Sequence, residues 1–157
     1  MDVKIEKIQE KDIDKAFSFC ISIFDELSWD KKFSYGLENL KEFFSNSREA
    51  FFLAKQEEII GCGGLKNLSK QEGLLKRFYV AKNFRGKGLA PLILENIKEF
   101  AKDKNYKFIV LDVFKDNFRA KRFFEKNEFK PFNPKPNKNW KESEHPDIFE
   151  FKRLEIV

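Results

Sequence analysis

A strand, a glycine turn and a helix follow one another in the middle of the chain. Residues 74–80 are mostly apolar, residues 85–90 read Arg-Gly-Lys-Gly-Leu-Ala, and an apolar-periodic helix is predicted from about Leu89. The two glycines allow the backbone to approach a ligand without a Cβ in the way. Because a helix N-terminus adds unpaired N–H groups and the positive end of a dipole, this order predicts a phosphate-binding turn. An ordinary strand-to-helix turn is the simpler alternative.

The same segment determines part of the topology. Leu89, Ile93, Ile97 and Ala101 recur at steps of four, which is the spacing of one helix face. Residues 107–114 then form a largely continuous apolar run, which is typical of a strand buried on both faces. A strand, a helix and a strand in this order predict two parallel strands joined by a right-handed crossover.

A hairpin is predicted before this unit. Residues 50–54 and 58–65 have the composition of strands, and the polar residues 55–57 between them suit a turn. Three glycines in the second strand indicate either a bulge or a backbone that another element approaches closely. These glycines are Gly61, Gly63 and Gly64.

Two further segments complete this half of the chain. Residues 118–126 are predicted to form a helix. Residues 131–146 contain four prolines and predict a long irregular loop, and loops of this length in compact domains are often functional.

Composition indicates one folded domain, residues 1–157. Hydrophobic residues make up 41% of the chain, and low-complexity tracts are not evident. The net charge of +5 arises from basic residues scattered among acidic ones, which favours a solvated surface over a nucleic-acid site. Nucleic-acid binding stays a third hypothesis, and it predicts an affinity that falls steeply with salt.

The cysteines and the histidine constrain location and metal chemistry. Cys20 and Cys62 both fall in apolar elements, which is typical of buried thiols in a reducing compartment. With His145 as the single histidine, we expect no zinc site and a function that needs no metal. Neither a signal peptide nor a bilayer-spanning run is recognised, so we expect a cytoplasmic protein without a membrane partner.

Two motifs carry a family resemblance. Residues 85–90 read Arg-x-x-Gly-x-Ala and follow a strand ending Phe-Tyr-Val at residues 78–80; this resembles the acetyl-CoA signature of the GNAT superfamily of N-acetyltransferases. Residues 117–126 contain an Asn, an Ala and an aromatic-rich helix, and they resemble the family's downstream pattern. The close resemblance covers about residues 73–132.

The resemblance implies both a fold and an activity. The fold is α/β (α+β), with a mixed, mostly antiparallel sheet of six or seven strands and helices on both faces. The activity is transfer of an acetyl group from acetyl-CoA to a primary amine of a small molecule, peptide or protein, by direct attack in a ternary complex. A non-catalytic acetyl-CoA- or acyl-CoA-binding regulatory module is the alternative. The expected partners are therefore acetyl-CoA and an amine, and a homodimer is left open.

The cofactor contacts implied by the resemblance follow the splayed strand, the turn and the next helix. Residues 78–80 would offer main-chain groups to the pantetheine arm, and a fully paired central strand is the alternative. Asn117 would contact the cofactor, with a helix N-cap as the alternative role. The predicted cofactor-binding residues are Phe78, Tyr79, Val80, Arg85, Gly86, Lys87, Gly88, Leu89, Ala90, Asn117 and Phe124.

The catalytic positions depart from the family pattern. Phe124 stands where the family commonly has a Tyr proposed to protonate the leaving thiolate, and Leu74 stands where many relatives have a Glu. Glu72, two residues earlier on the same strand face, is the candidate catalytic base, with a solvated turn carboxylate as the alternative. His145 is the other titratable candidate, with a surface-loop position as its alternative.

The acceptor site has no recognisable motif. Trp29, Phe44 and Trp140 are candidates to line it, and core packing is the alternative for each of them. The sequence therefore predicts the donor half of an acetyltransferase in some detail and leaves the acceptor unidentified.

Overall fold

The computed structural model describes residues 2–156. Over this part of the chain seven β-strands and four α-helices form. The strands are β1 (Lys4–Lys7), β2 (Ala50–Lys55), β3 (Ile59–Asn67), β4 (Glu72–Val80), β5 (Phe108–Phe114), β6 (Lys130–Pro131) and β7 (Phe149–Glu155). The helices are α1 (Ile13–Leu27), α2 (Leu40–Phe43), α3 (Leu89–Asp103) and α4 (Phe118–Lys126).

All of these strands belong to one sheet, in the order β1-β2-β3-β4-β5-β7-β6. Neighbouring strands are antiparallel except β4 and β5, which are parallel and are connected through α3. The predicted mixed, mostly antiparallel sheet is confirmed, as are the β2–β3 hairpin and the parallel pair.

Two apolar cores lie on opposite faces of the sheet. One contains the buried face of α3 and the ring of Phe124 from α4, packed on strand residues such as Leu111. The other contains α1, α2 and Trp140, packed on strand residues such as Val110. Because side chains alternate along a strand, these consecutive residues of β5 belong to different cores. Helices therefore cover both faces, as predicted.

The glycines of β3 allow α3 to lie directly on the sheet. A Cβ at Gly61 would lie 2.7 Å from Cδ1 of Ile93, and one at Gly63 would lie 2.8 Å from Cδ1 of Ile97. The close approach predicted for this strand is confirmed, and the approaching element is α3. Since Gly61 pairs with Val80, this packing places the first turn of α3 beside the end of β4.

The parallel strands separate along their length. Glu72–Leu74 of β4 pair with Phe108–Val110 of β5, and within the described residues the pairing stops there. Further along, β4 carries a bulge, because Arg77 and Phe78 together lie opposite Gly63 of β3. Arg77 has φ +57°, in the left-handed region that favours glycine. A wedge-shaped cleft therefore opens between the C-terminal parts of β4 and β5.

The proline-rich loop is more ordered than the sequence predicts. It begins with Pro131 of β6, and Lys141–Glu144 form a 3₁₀ turn. Trp140, just before this turn, is 1% exposed, and Glu142 within it is 2% exposed. The loop therefore folds against the α1 face and contributes side chains to the interior.

Candidate active site

The cleft between β4 and β5 connects the two cores. Leu75 and Phe124 line it on the α3 side, and Trp29 and Phe33 line it on the α1 side. The cleft is partly open to solvent, and its volume is about 80 Å³. Such a narrow passage suits an extended, slender ligand rather than a bulky ring system.

The α3 side of the cleft is apolar. The ring centroid of Phe78 lies 5.8 Å from that of Phe124 and 5.7 Å from that of Phe123. Phe124 also packs on Phe129, with ring centroids 5.3 Å apart, and is 5% exposed. The structure thus brings together two of the predicted cofactor residues, Phe78 and Phe124, as parts of one aromatic wall.

The α1 side is a second aromatic wall. Trp29 stacks on Phe114 with centroids 4.9 Å apart, and Phe149 lies 4.5 Å from Phe114 and 5.1 Å from Phe33. Of the three aromatic residues considered for the acceptor site, only Trp29 lines the cleft. Trp140 lies in the core of this face, and Phe44 packs against Phe51.

Charged side chains also line the cleft. Lys76 of β4 places its Nζ 2.9 Å from Oε2 of Glu142 and 3.5 Å from Oδ2 of Asp112. Lys76 Nζ donates to the hydroxyl of Tyr35 at 3.1 Å, and that hydroxyl donates to Oε1 of Glu142. Trp140 donates from Nε1 to Oδ2 of Asp112 at 2.7 Å. We call Tyr35, Lys76, Asp112 and Glu142 the charged cluster.

The two carboxyls of the charged cluster have different proton affinities. Burial raises the pKa of Asp112; the charge of Lys76 opposes this, and the charge of Glu142 adds to it. Burial also acts to raise the pKa of Glu142, but the charge of Lys76 and hydrogen bonds from Tyr35 and Lys76 outweigh it, so this pKa is lowered. Asp112 is therefore the carboxyl better suited to accept a proton.

Arg77 occupies the bulge and ties it to the α1 face. Its Nη2 donates to the carbonyl of Tyr35 at 2.6 Å, and its guanidinium lies 5.7 Å from the ring centroid of Phe24. Its own carbonyl accepts from the thiol of Cys62 at 3.1 Å. Nη1 of Arg77 also reaches the hydroxyl of Tyr79 at 3.5 Å, and burial raises the pKa of that hydroxyl. Tyr79 is therefore a neutral side chain beside the cleft.

Sequence reasoning missed the charged cluster. A weak signal was available, because Asp112 is the one acidic residue in the run 108–114. Lys76 similarly follows two leucines in β4. Glu142 carried no signal, since nothing in a polar loop distinguishes a glutamate that becomes buried from one that stays solvated.

Both glycines of the turn have positive φ angles, and no neighbouring group of the described chain crowds them. Gly86 has φ +76° and Gly88 has φ +86°, and a Cβ at either position would meet nothing within 4 Å. Gly88 is the N-cap of α3 and provides no side-chain cap for the first turn. Leu89 is buried in the core, so it can offer a ligand its main chain but not its side chain; Ala90 follows it. The turn is thus open in front of the helix N-terminus.

The two basic residues of the turn differ in their contacts. Arg85 donates from Nε to the carbonyl of Val80 at 3.0 Å, and its Nη atoms lie 2.5 and 2.9 Å from the two carboxylate oxygens of Glu26. Lys87 is exposed, with its Nζ 6.0 Å from the ring centroid of Phe84. Arg85 is therefore held in an ion pair with Glu26 of α1, whereas Lys87 is exposed at the surface.

Asn117 caps α4, which is the alternative role that the sequence suggested for it. Its Oδ1 accepts from the N–H of Ala120 at 3.3 Å, which fixes the first turn of α4. Asn117 also lines the cleft, so its predicted contact with the cofactor stays a prediction.

Glu72 and His145, the two candidates for the catalytic base, are both outside the set of residues that line the cleft. Glu72 is the first residue of β4, opposite Phe108 in the paired part of the strands, and its Oε1 accepts from the hydroxyl of Ser69 at 3.0 Å. This is the turn-carboxylate role, and Glu72 is not among the residues that line the cleft. His145 packs edge-on against Phe33 with ring centroids 5.7 Å apart, behind the aromatic wall.

Over residues 2–156, no three histidine, cysteine or acidic side chains cluster as metal ligands would. In the same range no helix is both long and apolar enough to cross a bilayer. The two cysteines are buried thiols, as predicted, with their Sγ atoms 3.8 Å apart.

Solved structures resemble this fold over its whole length. An acetyltransferase of the GNAT family from Staphylococcus aureus MU50 is 21% identical, covers 99% of this chain and 100% of its own, and superposes with a TM-score of 0.83. A GNAT-family acetyltransferase from Streptococcus pneumoniae is 20% identical, covers 99% of this chain and 100% of its own, and superposes with a TM-score of 0.77. Ard1 from Thermoplasma volcanium is 18% identical, covers 100% of this chain and 99% of its own, and superposes with a TM-score of 0.73. At such identities the likeness establishes the fold alone.

Comparison at the level of sequence identifies the family. A search of curated proteins gave no significant match. The model of the acetyltransferase (GNAT) family, in contrast, matches residues 20–129, which includes the glycine turn, both strands of the cleft and α4. The chain therefore belongs to the GNAT family of acetyltransferases.

Proposed function

We propose that this protein transfers an acetyl group from acetyl-CoA to a primary amine by direct attack in a ternary complex. The observation that carries the proposal is the arrangement of three features around β4. The glycine turn follows the end of β4 and lies in front of α3, β4 has no pairing with β5 beyond Leu74 over the described residues, and Asp112 lines the cleft between these two strands. Each part suits one portion of the two substrates.

The donor would occupy the turn and the cleft. Its diphosphate would accept hydrogen bonds from main-chain N–H groups between Gly86 and Ala90, with Lys87 adding charge. Its pantetheine arm would lie along Phe78, Tyr79 and Val80, where β4 has no partner in β5 and an amide-bearing chain can hydrogen bond as an added strand. The apolar wall around Phe124 would exclude water from the thioester.

Asp112 would act as the general base. An amine that enters as an ammonium ion must lose a proton before its lone pair can attack the thioester carbonyl. Asp112 lines the cleft, and because burial raises its pKa it can accept that proton more readily than an ordinary aspartate. Main-chain N–H groups of the bulge at Arg77 and Phe78 would stabilise the oxyanion.

The leaving thiolate would not need a protein acid. Phe124 lacks the hydroxyl of the Tyr that GNAT proteins commonly have at this position. A thiol with a pKa near ~8.5 leaves readily at neutral pH, so solvent can protonate it. We therefore expect a competent enzyme that lacks the gain of about 10²- to 10⁴-fold that a protein acid typically supplies.

Coenzyme A release in the presence of an amine panel tests the proposal. The panel would include peptides, polyamines, amino acids and aminoglycosides, and the free thiol would be followed with time. Tight binding of acetyl-CoA without turnover on any amine would favour the alternative, a regulatory module that binds acetyl-CoA. The absence of an acid at Phe124 is the observation that favours this alternative.

A pair of variants identifies the base. We expect Asp112→Asn to lower kcat/KM about 10²- to 10⁴-fold, the range for loss of a general base. Glu72→Gln is the matched carboxyl-to-amide change outside the cleft, and we expect it to leave kcat/KM unchanged. If Glu72→Gln carried the loss instead, the base would be Glu72.

A further inference from the structure

Lys76 is a primary amine already inside the cleft. It belongs to β4, one residue before the bulge, lines the cleft and is 5% exposed. Lys152 is the other buried lysine among the described residues, at 1% exposure. It lies on β7 with its Nζ 3.5 Å from Glu125, and it does not line the cleft. Lys76 thus differs from Lys152 in facing the place where the thioester would lie.

The contacts of Lys76 resemble those expected for a bound acceptor. Its ammonium has three hydrogens, and three oxygens lie within 3.5 Å, from Tyr35, Glu142 and Asp112. Asp112 lies on the opposite strand of the cleft. If one proton passes to Asp112, the neutral amine keeps a lone pair, and rotation about the Cε–Nζ bond can turn this lone pair into the cleft between β4 and β5. An acetyl group carried between the two strands would meet this lone pair.

We propose that Lys76 is a self-acetylation site, modified by the acetyl-CoA bound in its own cleft. This inference rests on the proposed function, because it uses the same donor and the same base. Nζ of Lys76 loses a proton to Asp112 and attacks the thioester carbonyl. The new C–N bond forms, the C–S bond breaks, and the thiolate takes up the second proton of the nitrogen. The products are Nε-acetyl-lysine and coenzyme A, and Asp112 returns one proton to solvent.

Acetylation would change the charged cluster. The acetyl-lysine is neutral, so Asp112 and Glu142 would face each other without the cation that lies between them. The acetamide would also occupy the space in front of Asp112 that an external amine needs. The modified protein is therefore slower towards external amines than the unmodified protein.

Mass spectrometry after incubation with acetyl-CoA tests the inference. We expect one acetyl group per chain, mapped by peptide analysis to Lys76, with Lys152 unmodified. Exposed lysines such as Lys138 report on non-enzymatic acetylation. A tenfold excess of free coenzyme A should slow labelling of Lys76 by about tenfold through competition for the cleft and leave labelling of Lys138 unchanged. The variant Lys76→Arg keeps the positive charge and should lose the enzymatic label.

The outcomes separate this inference from the proposed function. An unmodified Lys76 in protein that binds acetyl-CoA and acetylates an external amine would overturn self-acetylation alone. Labelling of Lys76 that coenzyme A does not slow would overturn it as well, because the reaction would then be chemical rather than templated by the cleft. Failure to bind acetyl-CoA, measured by calorimetry, would overturn both.

Discussion

Replacing Gly88 by glutamate separates the two properties of the glycine turn, its backbone conformation and its affinity for anions. Gly88 has φ +86°, and a Cβ there meets nothing within 4 Å. A Cβ at this position therefore costs about 1–2 kcal/mol of backbone strain and meets no steric clash. Gly88→Ala measures this strain alone, so it is the matched control for Gly88→Glu.

The charge of the glutamate acts in opposite directions on folding and on binding. In the free protein a carboxylate at the N-terminus of α3 stabilises the helix by about 0.3–1 kcal/mol, so Gly88→Glu should be at least as stable as Gly88→Ala. In the complex it opposes the two charges of the diphosphate. At ~6 Å and the dielectric constant of water, this repulsion is about 1.4 kcal/mol, or roughly tenfold in Kd.

Two measurements test these expectations for stability and for binding. Thermal unfolding gives the stability of both variants, and titration calorimetry with coenzyme A gives their Kd at low and high salt. We expect the glutamate variant to bind about tenfold more weakly than the alanine variant, and the difference to shrink as salt screens the charges. Equal affinities at low salt would refute the placement of the diphosphate at this turn.

Three further predictions concern the base, the turn and the core. Because burial raises the pKa of Asp112, acetyl transfer should slow as the pH falls through a value above the usual aspartate range. If Asp112→Asn showed the same loss of rate at low pH, Asp112 would not be the base. Glu26→Gln should release Arg85 to the turn and strengthen coenzyme A binding by about 0.5–1 kcal/mol in calorimetry; an unchanged Kd would show that Arg85 does not reach the ligand. Gly64→Ala places a Cβ 2.6 Å from the ring of Phe44, so it should lower the free energy of unfolding by about 1–3 kcal/mol in urea, and an unshifted midpoint would argue against this packing.

Local patterns were sufficient to predict the elements that form the donor half of the site. The spacing of Leu89, Ile93 and Ile97 reports the buried face of α3 directly, because a helix face repeats every three to four residues. The bounds predicted for α4 agree with the structure, since Asn117 caps its first turn. The glycine turn lies between these signals, so its position followed from its neighbours.

The charged cluster could not be predicted in this way. Lys76, Asp112 and Glu142 come from two strands and a loop, and their contacts depend on the separation of β4 from β5. The candidate Glu72 illustrates the same difficulty. Strand alternation gives the face of a residue but not which end of a parallel pair opens, and Glu72 lies at the closed end.

Stability alone does not account for the cleft. Buried ion pairs such as Lys76 with Glu142 are often no more stabilising than apolar side chains of similar volume, so stability alone gives no reason for a pair at this place. The separation of β4 from β5 also removes strand pairing in the middle of the sheet, and unpaired buried backbone groups are costly. Both costs fall at the same place, within a few residues of Asp112. Under the proposed function one event offsets both: the amide-bearing arm of acetyl-CoA completes the hydrogen bonding of the separated strands, and its thioester is delivered to the charged cluster that handles the amine proton.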